Sequence, residues 1–151
     1  AGAKSVLDLP KTLEALETAA VPIIGVGTGE LPSFYSRSSG LTLEHRVDDP
    51  AAAARILRAR FDTLGQGGVL FTVPPPEETS LPRADVELHI AAAMAEADRQ
   101  GIRGKAVTPF LLSEMARRTS GKTLRANLAL LTHNARFAGQ LAVAYAQGAR
   151  G

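Results

Sequence analysis

The residue type best suited to covalent chemistry is a lysine near the start of the chain. The chain opens Ala1-Gly2-Ala3-Lys4, and the three small residues before the amine let the backbone turn tightly and a ligand come close. A lysine amine attacks an aldehyde to form an imine when burial or a neighbouring cation lowers its pKa. A solvent-exposed lysine fits the local residues as well, so both interpretations of Lys4 remain open at this point.

Two side-chain amides are spaced to act together on the last predicted helix. Asn127 and Asn134 lie seven residues apart and therefore share one helical face. An amide both donates and accepts hydrogen bonds, so the pair could recognise the polar edges of a ligand. The alternative is that both amides pack between helices, where each would need a hydrogen-bond partner.

Two short polar segments could hold an anion. The Gly-Val-Gly-Thr-Gly segment at residues 25–29 lacks the spacing of the dinucleotide fingerprint and of the P-loop, which favours a flexible strand exit. The Arg-Ser-Ser-Gly segment at residues 37–40 offers a guanidinium and two hydroxyls. It could bind a phosphate or carboxylate, or it could be a solvated turn. The three histidines lie on different predicted elements without a nearby second ligand, so no metal site is predicted within this chain alone.

Composition excludes several classes of function. The 151 residues suit one domain, and a net charge of +2 without a basic stripe argues against a nucleic-acid partner. The absence of cysteine excludes disulfides, thiolate nucleophiles and sulfur metal sites. No apolar run reaches the ~18 residues of a membrane span, and no charged-then-apolar leader is seen. These features predict a cytoplasmic protein with no membrane partner.

Hydrophobic periodicity predicts strands alternating with helices. Asp49-Pro50 and Thr108-Pro109 each combine a capping residue with a proline, which predicts that helices start there. Helices are predicted at residues 7–20, 51–64, 82–101, 110–119 and 123–146, and extended segments at 21–26, 31–36, 41–47 and 67–73. This order predicts an α/β fold in layers. The helices outnumber the strands that could cover them, so we expect further strands before Ala1.

In their order along the chain, several specific blocks resemble the pseudouridine-5'-phosphate glycosidase family. The resemblance spans nearly the whole chain, and it is carried by the blocks at residues 1–8, 27–28, 30–40, 67–69, 101–105 and 107–112, with Asn127 and Asn134-Ala135.

The resemblance implies a reversible cleavage of the C–C glycosidic bond of pseudouridine 5'-phosphate to uracil and ribose 5-phosphate. A lysine forms an imine with the anomeric carbon of the ring-opened sugar, and this role maps onto Lys4. An asparagine that contacts the base maps onto Asn127, and Asn134 is the second predicted substrate-binding residue. The resemblance also implies a homotrimer.

Family members are about twice as long as this chain, so residues 1–151 are expected to be the C-terminal half of one layered α/β/α domain. The N-terminal half would then be a partner of this chain. It would supply the acidic proton donor, a divalent metal, Mn²⁺, and most of the phosphate pocket, and no metal ligand is expected among residues 1–151.

Three departures from the family pattern leave the acceptor open. The chain has Val26 and Gly29 around the glycine turn, Thr-Val-Pro-Pro-Pro at residues 72–76, and His133 where a second asparagine is usual. These changes suit a relative that joins ribose 5-phosphate to an aromatic polyketide acceptor, as in alnumycin-type antibiotic biosynthesis. A non-catalytic fragment that only packs or binds is the alternative of another class.

Overall fold

The computed structural model describes Ala3, residues 7–65 and residues 67–148. Three strands alternate with helices in the first half, and three longer helices follow. The helices are α1 (Leu9–Thr18), α2 (Pro50–Arg58), α3 (Arg83–Arg99), α4 (Val107–Arg118) and α5 (Lys122–Gln147), and the strands are β1 (Ile23–Val26), β2 (His45–Val47) and β3 (Leu70–Thr72). A π-helical turn, Ala59–Thr63, extends α2, and turns of 3-10 helix occupy Glu77–Thr79 and Gly104–Ala106.

The three strands form one parallel sheet in the order β2-β1-β3. Ile24 of the central strand lies opposite His45 of β2 and Phe71 of β3. Parallel strands need crossover connections, and the segment containing α2 supplies the one from β2 to β3. The predicted α/β class is therefore confirmed.

Helices α2 and α5 cover one face of this sheet. The buried core on that face joins Ile24 and Val47 of the strands to Ala53 of α2 and Phe137 of α5. The Phe137 ring lies 6.2 Å from the ring of Phe71. Burial of these apolar side chains fixes the middle of α5 over the sheet.

A second core lies between the later helices and the segment that follows β1. Tyr35 of that segment is 2% exposed and packs with Val86 of α3, Leu111 and Met115 of α4, and Ala126 of α5. The carbonyl oxygen of Tyr35 accepts a hydrogen bond from the Leu81 N–H at 2.8 Å. The segment after β1 is therefore held at its middle by α3, α4 and α5.

One of the two predicted cap-and-proline helix starts is correct. Asp49 caps α2 through a hydrogen bond from the Ala52 N–H to its carboxylate, 2.7 Å long, and Pro50 is the first helical residue. The predicted start at Thr108-Pro109 is wrong, because α4 begins at Val107 directly after a 3-10 turn. Both residues lie in the first turn, where a proline removes no intrahelical hydrogen bond.

Several predicted segments are shorter in the structure, and the extended segment predicted at residues 31–36 is not a strand. Residues 31–36 contain a tight turn in which Ser33 and Ser36 exchange backbone hydrogen bonds of 2.9 and 3.0 Å, with Phe34 at a φ of +53°. Only His45–Val47 of the predicted strand 41–47 pairs in the sheet, and α2 ends at Arg58. Within the described ranges, every helix is too short or too polar to cross a membrane.

Candidate functional site

A cleft lies at the carboxyl edge of the parallel sheet. Gly27 follows β1, Asp48 follows β2, and Val73 and Pro74 follow β3, and all four line one cavity of about 280 Å³. The carboxyl ends of parallel strands meet at one edge, and in open α/β sheets ligands bind outside that edge. The position of this cavity makes it the candidate ligand site.

Helix α5 closes the cleft from above. Phe137, only 9% exposed, anchors the helix in the sheet core, and His133 and Arg136 on the adjoining turn face the cavity. Gln140 lines it one turn further on. Spacings of three and four residues place these side chains on one helical face. The apolar anchor thus determines where an imidazole and a guanidinium are presented.

Arg37 reaches the same cleft from the segment after β1. Its Nη1 donates a hydrogen bond to the carbonyl oxygen of Pro75 at 2.7 Å. The Ser36 hydroxyl next to it donates to the Leu81 carbonyl oxygen at 2.8 Å. One bond holds the residue before Arg37 and the other holds the Arg37 side chain itself, so the guanidinium is positioned before any ligand arrives.

A second cavity of about 620 Å³ continues from the first one. We call the 280 Å³ cavity the inner compartment and the 620 Å³ cavity the outer compartment. Both are lined by Arg37, His133 and Arg136. The outer compartment is also lined by Glu77 and Glu78 and by Leu128, Ala129 and Thr132 of α5. The three shared side chains therefore stand at the boundary between an inner and an outer compartment.

The charges of the inner compartment do not cancel. Its carboxylate, Asp48, forms an ion pair with Arg46 at 2.7 Å. Neither Arg37 nor Arg136 forms an ion pair with a carboxylate in the described part of the chain. Two guanidinium charges therefore remain available there, and a guanidinium binds planar or tetrahedral oxyanions well.

The serines of the turn at residues 37–40 serve the fold. The Ser38 hydroxyl donates to the Glu30 carboxylate, and the Gly40 N–H donates to the same carboxylate at 3.1 Å. The first of these bonds, then the second and the charge of Arg83 hold the pKa of Glu30 below its usual 4.5. Only Arg37 of this turn lines the cleft, so the turn brings its guanidinium and neither of its hydroxyls to the cavities.

The glycine-rich segment at residues 25–29 is a strand exit, as expected. The strand β1 ends at Val26, and the Thr28 hydroxyl accepts a hydrogen bond from the Glu30 N–H at 3.1 Å. Gly27 adopts a φ of +64°, a backbone conformation that favours glycine. The next helix along the chain is α2, so no helix N-terminus follows this loop directly.

Two of the three predicted site residues, Asn127 and Asn134, are not among the described residues that line this cleft. Lys4 lies outside the described residues. Asn127 and Asn134 are half-buried on α5, which runs without interruption through both positions, so they share a face as predicted. The described residues that line the two compartments include His133 and Arg136 instead of either asparagine. The assignment of Lys4, Asn127 and Asn134 to a substrate site stays a prediction.

Sequence reasoning missed Arg136. Its spacing of three residues from His133 was an available signal, since it places both on one helical face. His45 and His89 lie on β2 and α3, away from both compartments. In the described ranges no group of three or more histidine, cysteine, aspartate or glutamate side chains could hold a metal ion.

The chain is similar to known proteins over nearly its whole length. It is 82% identical over 147 residues to a pseudouridine-5'-phosphate glycosidase of Myxococcus xanthus and 51% identical over 143 residues to one of Caldanaerobacter subterraneus, covering 97% and 95% of this chain. These matches span 48% and 47% of the relatives. The chain thus spans about half the length of the curated relatives that it matches.

Two solved structures share the fold. The prealnumycin C-glycosynthase AlnA in complex with ribulose 5-phosphate superposes with a TM-score of 0.88 at 40% identity, over 99% of this chain and 50% of that chain. An indigoidine synthase A-like protein from Thermotoga maritima gives a TM-score of 0.83 at 37% identity, over 94% and 47%. The relatives from Myxococcus xanthus and Caldanaerobacter subterraneus confirm the resemblance to pseudouridine-5'-phosphate glycosidases that the sequence motifs indicated. The model described as Indigoidine synthase A like protein matches residues 1–144, and the chain belongs to that family.

Proposed function

We propose that the protein makes and breaks a C–C glycosidic bond between ribose 5-phosphate and uracil. The observation that carries this proposal is the 82% identity, over 97% of the chain, to a relative named pseudouridine-5'-phosphate glycosidase. The structural neighbour crystallised with ribulose 5-phosphate supports a sugar phosphate as one substrate. The open carboxyl edge of the sheet is the place where such a fold binds small ligands.

In the proposed mechanism Lys4 is the nucleophile. Its Nζ attacks the C1 aldehyde of ring-opened ribose 5-phosphate, and loss of water leaves an imine. The carbon nucleophile C5 of uracil adds to C1 of the protonated imine, the C=N electron pair moves onto nitrogen, and C5 loses its proton to a base. The oxygen of the sugar 4-hydroxyl then bonds to C1 as the C1–N bond breaks, its proton passes to the departing lysine amine, and the ring closes. Cleavage runs through the same steps in reverse and consumes the water when the imine is hydrolysed.

The amide of Asn127 is proposed to orient the base. An amide can donate to one polar atom of the uracil edge and accept from its neighbour. Asn134 lies about two helical turns further along the same face and is proposed to bind the substrate as well. Both roles place α5 against the reacting base.

The remaining parts of the proposed enzyme come from outside residues 1–151. Following the family resemblance, the proposed Mn²⁺ ligand and the acidic proton donor are assigned to the other half of the family's chain. A homotrimer in the cytoplasm is the proposed working form.

A second candidate is a C-glycosynthase with an aromatic acceptor. It is favoured by the 40% identity to the prealnumycin C-glycosynthase over 99% of the chain. The departures at residues 72–76 also favour it, because Thr72 is fully buried and its hydroxyl donates to the Ile24 carbonyl oxygen at 3.3 Å. The Thr72 side chain therefore stabilises the sheet and is not available to bind a uracil base. A non-catalytic packing fragment is the alternative of another class.

Trapping of the imine separates an enzyme from a packing fragment. The protein at its natural length is incubated with ribose 5-phosphate, reduced with borohydride and digested, and the peptides are weighed by mass spectrometry. We expect a sugar adduct on Lys4 in the parent protein and none in Lys4→Arg, because arginine does not form the imine. Lys11→Arg is the matched control and should keep the adduct. An unmodified Lys4 in the parent protein would overturn the mechanism.

Acceptor competition separates the two enzymes. Uracil and a polyaromatic carbon nucleophile are offered separately with ribose 5-phosphate, and products are identified by chromatography and mass. Product from uracil alone would remove the C-glycosynthase alternative, whereas product from the polyaromatic acceptor alone would remove the glycosidase.

A further inference from the structure

We propose that the cleft lined by Arg37, His133 and Arg136 binds the phosphate group of a small phosphorylated molecule. The inference concerns a different surface from the predicted Asn127 contact, and it is tested by binding without turnover. The proposal is carried by the charge of the cleft, the way in which its cations are held and its size.

Charge is the first argument. The inner compartment contains the guanidinium groups of Arg37 and Arg136, and its carboxylate, Asp48, is occupied by Arg46 at 2.7 Å. The carboxylates of Glu77 and Glu78 lie in the outer compartment. A dianion therefore meets two uncompensated positive charges at the inner end and is repelled by the acidic outer end, which determines where it settles.

Preorganisation is the second argument. Arg37 is fixed by its 2.7 Å hydrogen bond to the Pro75 carbonyl oxygen, and that bond uses one of the five N–H donors of the guanidinium. Arg136 and His133 are carried by a helix that Phe137 anchors in the sheet core. Phosphate accepts several hydrogen bonds at once, so three donor groups that line one cavity from two elements suit it.

Size is the third argument. The inner compartment of about 280 Å³ lies near the lower end of the range found for ligand pockets, ~300–1,000 Å³. It opens into the outer compartment, which is lined by Leu128 and Ala129 as well as by polar groups. A phosphate monoester with a small organic group fits this pair of compartments better than a bare ion does.

The test measures binding by isothermal titration calorimetry at constant ionic strength. Inorganic phosphate, ribose 5-phosphate and ribose are titrated into the parent protein and into Arg136→Gln. Arg125→Gln is the matched control, because Arg125 is an exposed arginine of the same helix that lines neither compartment. We expect phosphate to bind the parent and the control equally, and to bind Arg136→Gln at least about tenfold more weakly.

A conservative variant adds a second readout. Arg136→Lys keeps the charge but loses the planar fork, so its affinity should fall between those of the parent and Arg136→Gln. Equal phosphate binding by the parent and Arg136→Gln would overturn the proposal, as would an absence of phosphate binding to the parent.

The ligands distinguish the source of the phosphate. If ribose 5-phosphate binds more tightly than phosphate and Arg136→Gln weakens both, the cleft takes the phosphate of the proposed substrate. If Arg136→Gln weakens the binding of inorganic phosphate but not that of ribose 5-phosphate, the cleft binds another phosphorylated molecule. Lys4→Arg should bind phosphate as the parent does, so a failure of the imine mechanism leaves this result unaffected.

Discussion

Arg37 donates from Nη1 to the carbonyl oxygen of Pro75 at 2.7 Å and so joins the segment after β1 to the chain leaving β3. The two residues are 38 positions apart. A proline has no N–H, so the chain after β3 cannot continue the ladder through that residue. The side chain of Arg37 satisfies its carbonyl oxygen instead, at the edge where the candidate site lies.

Removing this side chain should cost stability as well as ligand binding. We expect Arg37→Gln to lower the free energy of unfolding by about 1 kcal/mol, because the lost hydrogen bond leaves a buried carbonyl oxygen without its partner. Urea denaturation followed by circular dichroism measures the change. Arg136→Gln is the control, since Arg136 lines the same cleft without an ion pair in the described ranges. Equal destabilisation by the two variants would contradict the structural role of Arg37.

Asn127 should matter for turnover and hardly at all for stability. Its side chain makes no hydrogen bond with another residue in the described part of the chain, and alanine is the better helix former by about 0.5 kcal/mol. We expect Asn127→Ala to unfold at the same temperature or slightly higher, and to lose at least about tenfold in turnover. Scanning calorimetry and steady-state kinetics with uracil measure the two effects. Full activity in this variant would remove Asn127 from the proposed site.

Gly25 of the central strand should tolerate no side chain. A Cβ built at this position would overlap the carbonyl oxygen of Thr28 and lie 3.2 Å from Cδ1 of Leu43. We expect Gly25→Ala to destabilise the protein by about 1–3 kcal/mol, as overpacking does. Gly29→Ala is the matched control, because a Cβ there meets nothing within 4 Å. In thermal unfolding, the control should have a midpoint temperature close to that of the parent, and only Gly25→Ala should have a lower one.

Glu30 should make stability fall in acid. Hydrogen bonds from Ser38 and Gly40 hold its pKa below 4.5 in the folded protein, so the ionised form stabilises the fold. This stabilisation is present above the unfolded pKa and is lost as the pH falls through the folded value. We expect Glu30→Gln to lower the urea midpoint at pH 7, and the gap to the parent to narrow below pH 4.5.

The control for this titration is Glu14→Gln, which removes an exposed charge from α1. The difference in urea midpoint between Glu14→Gln and the parent should change much less between pH 7 and pH 3 than the difference between Glu30→Gln and the parent. If the difference in urea midpoint between Glu30→Gln and the parent stays constant or increases in acid, the Glu30 carboxylate does not stabilise the fold through its hydrogen bonds.

Local features determined much of the fold. Asp49 and Pro50 specify the start of α2, because a capping carboxylate and a fixed φ act within one helical turn. The uninterrupted helical pattern at the end of the chain specified α5 and hence the shared face of Asn127 and Asn134. The helix start predicted from Thr108 and Pro109 was wrong because local residues also limit what can be predicted. A proline fits either the first residue of a helix or a later residue of its first turn, and local residues do not separate the two.

The sequence by itself determined the α/β class and, through motif resemblance, the family to which Lys4 and Asn127 owe their predicted roles. Only the tertiary structure decided that Arg37 meets His133 and Arg136. They come from segments almost a hundred residues apart, and no local pattern joins them. They meet because parallel strands bring their carboxyl ends to one edge and the burial of Phe137 places α5 over that edge, and such long-range contacts depend on the packing of the whole chain.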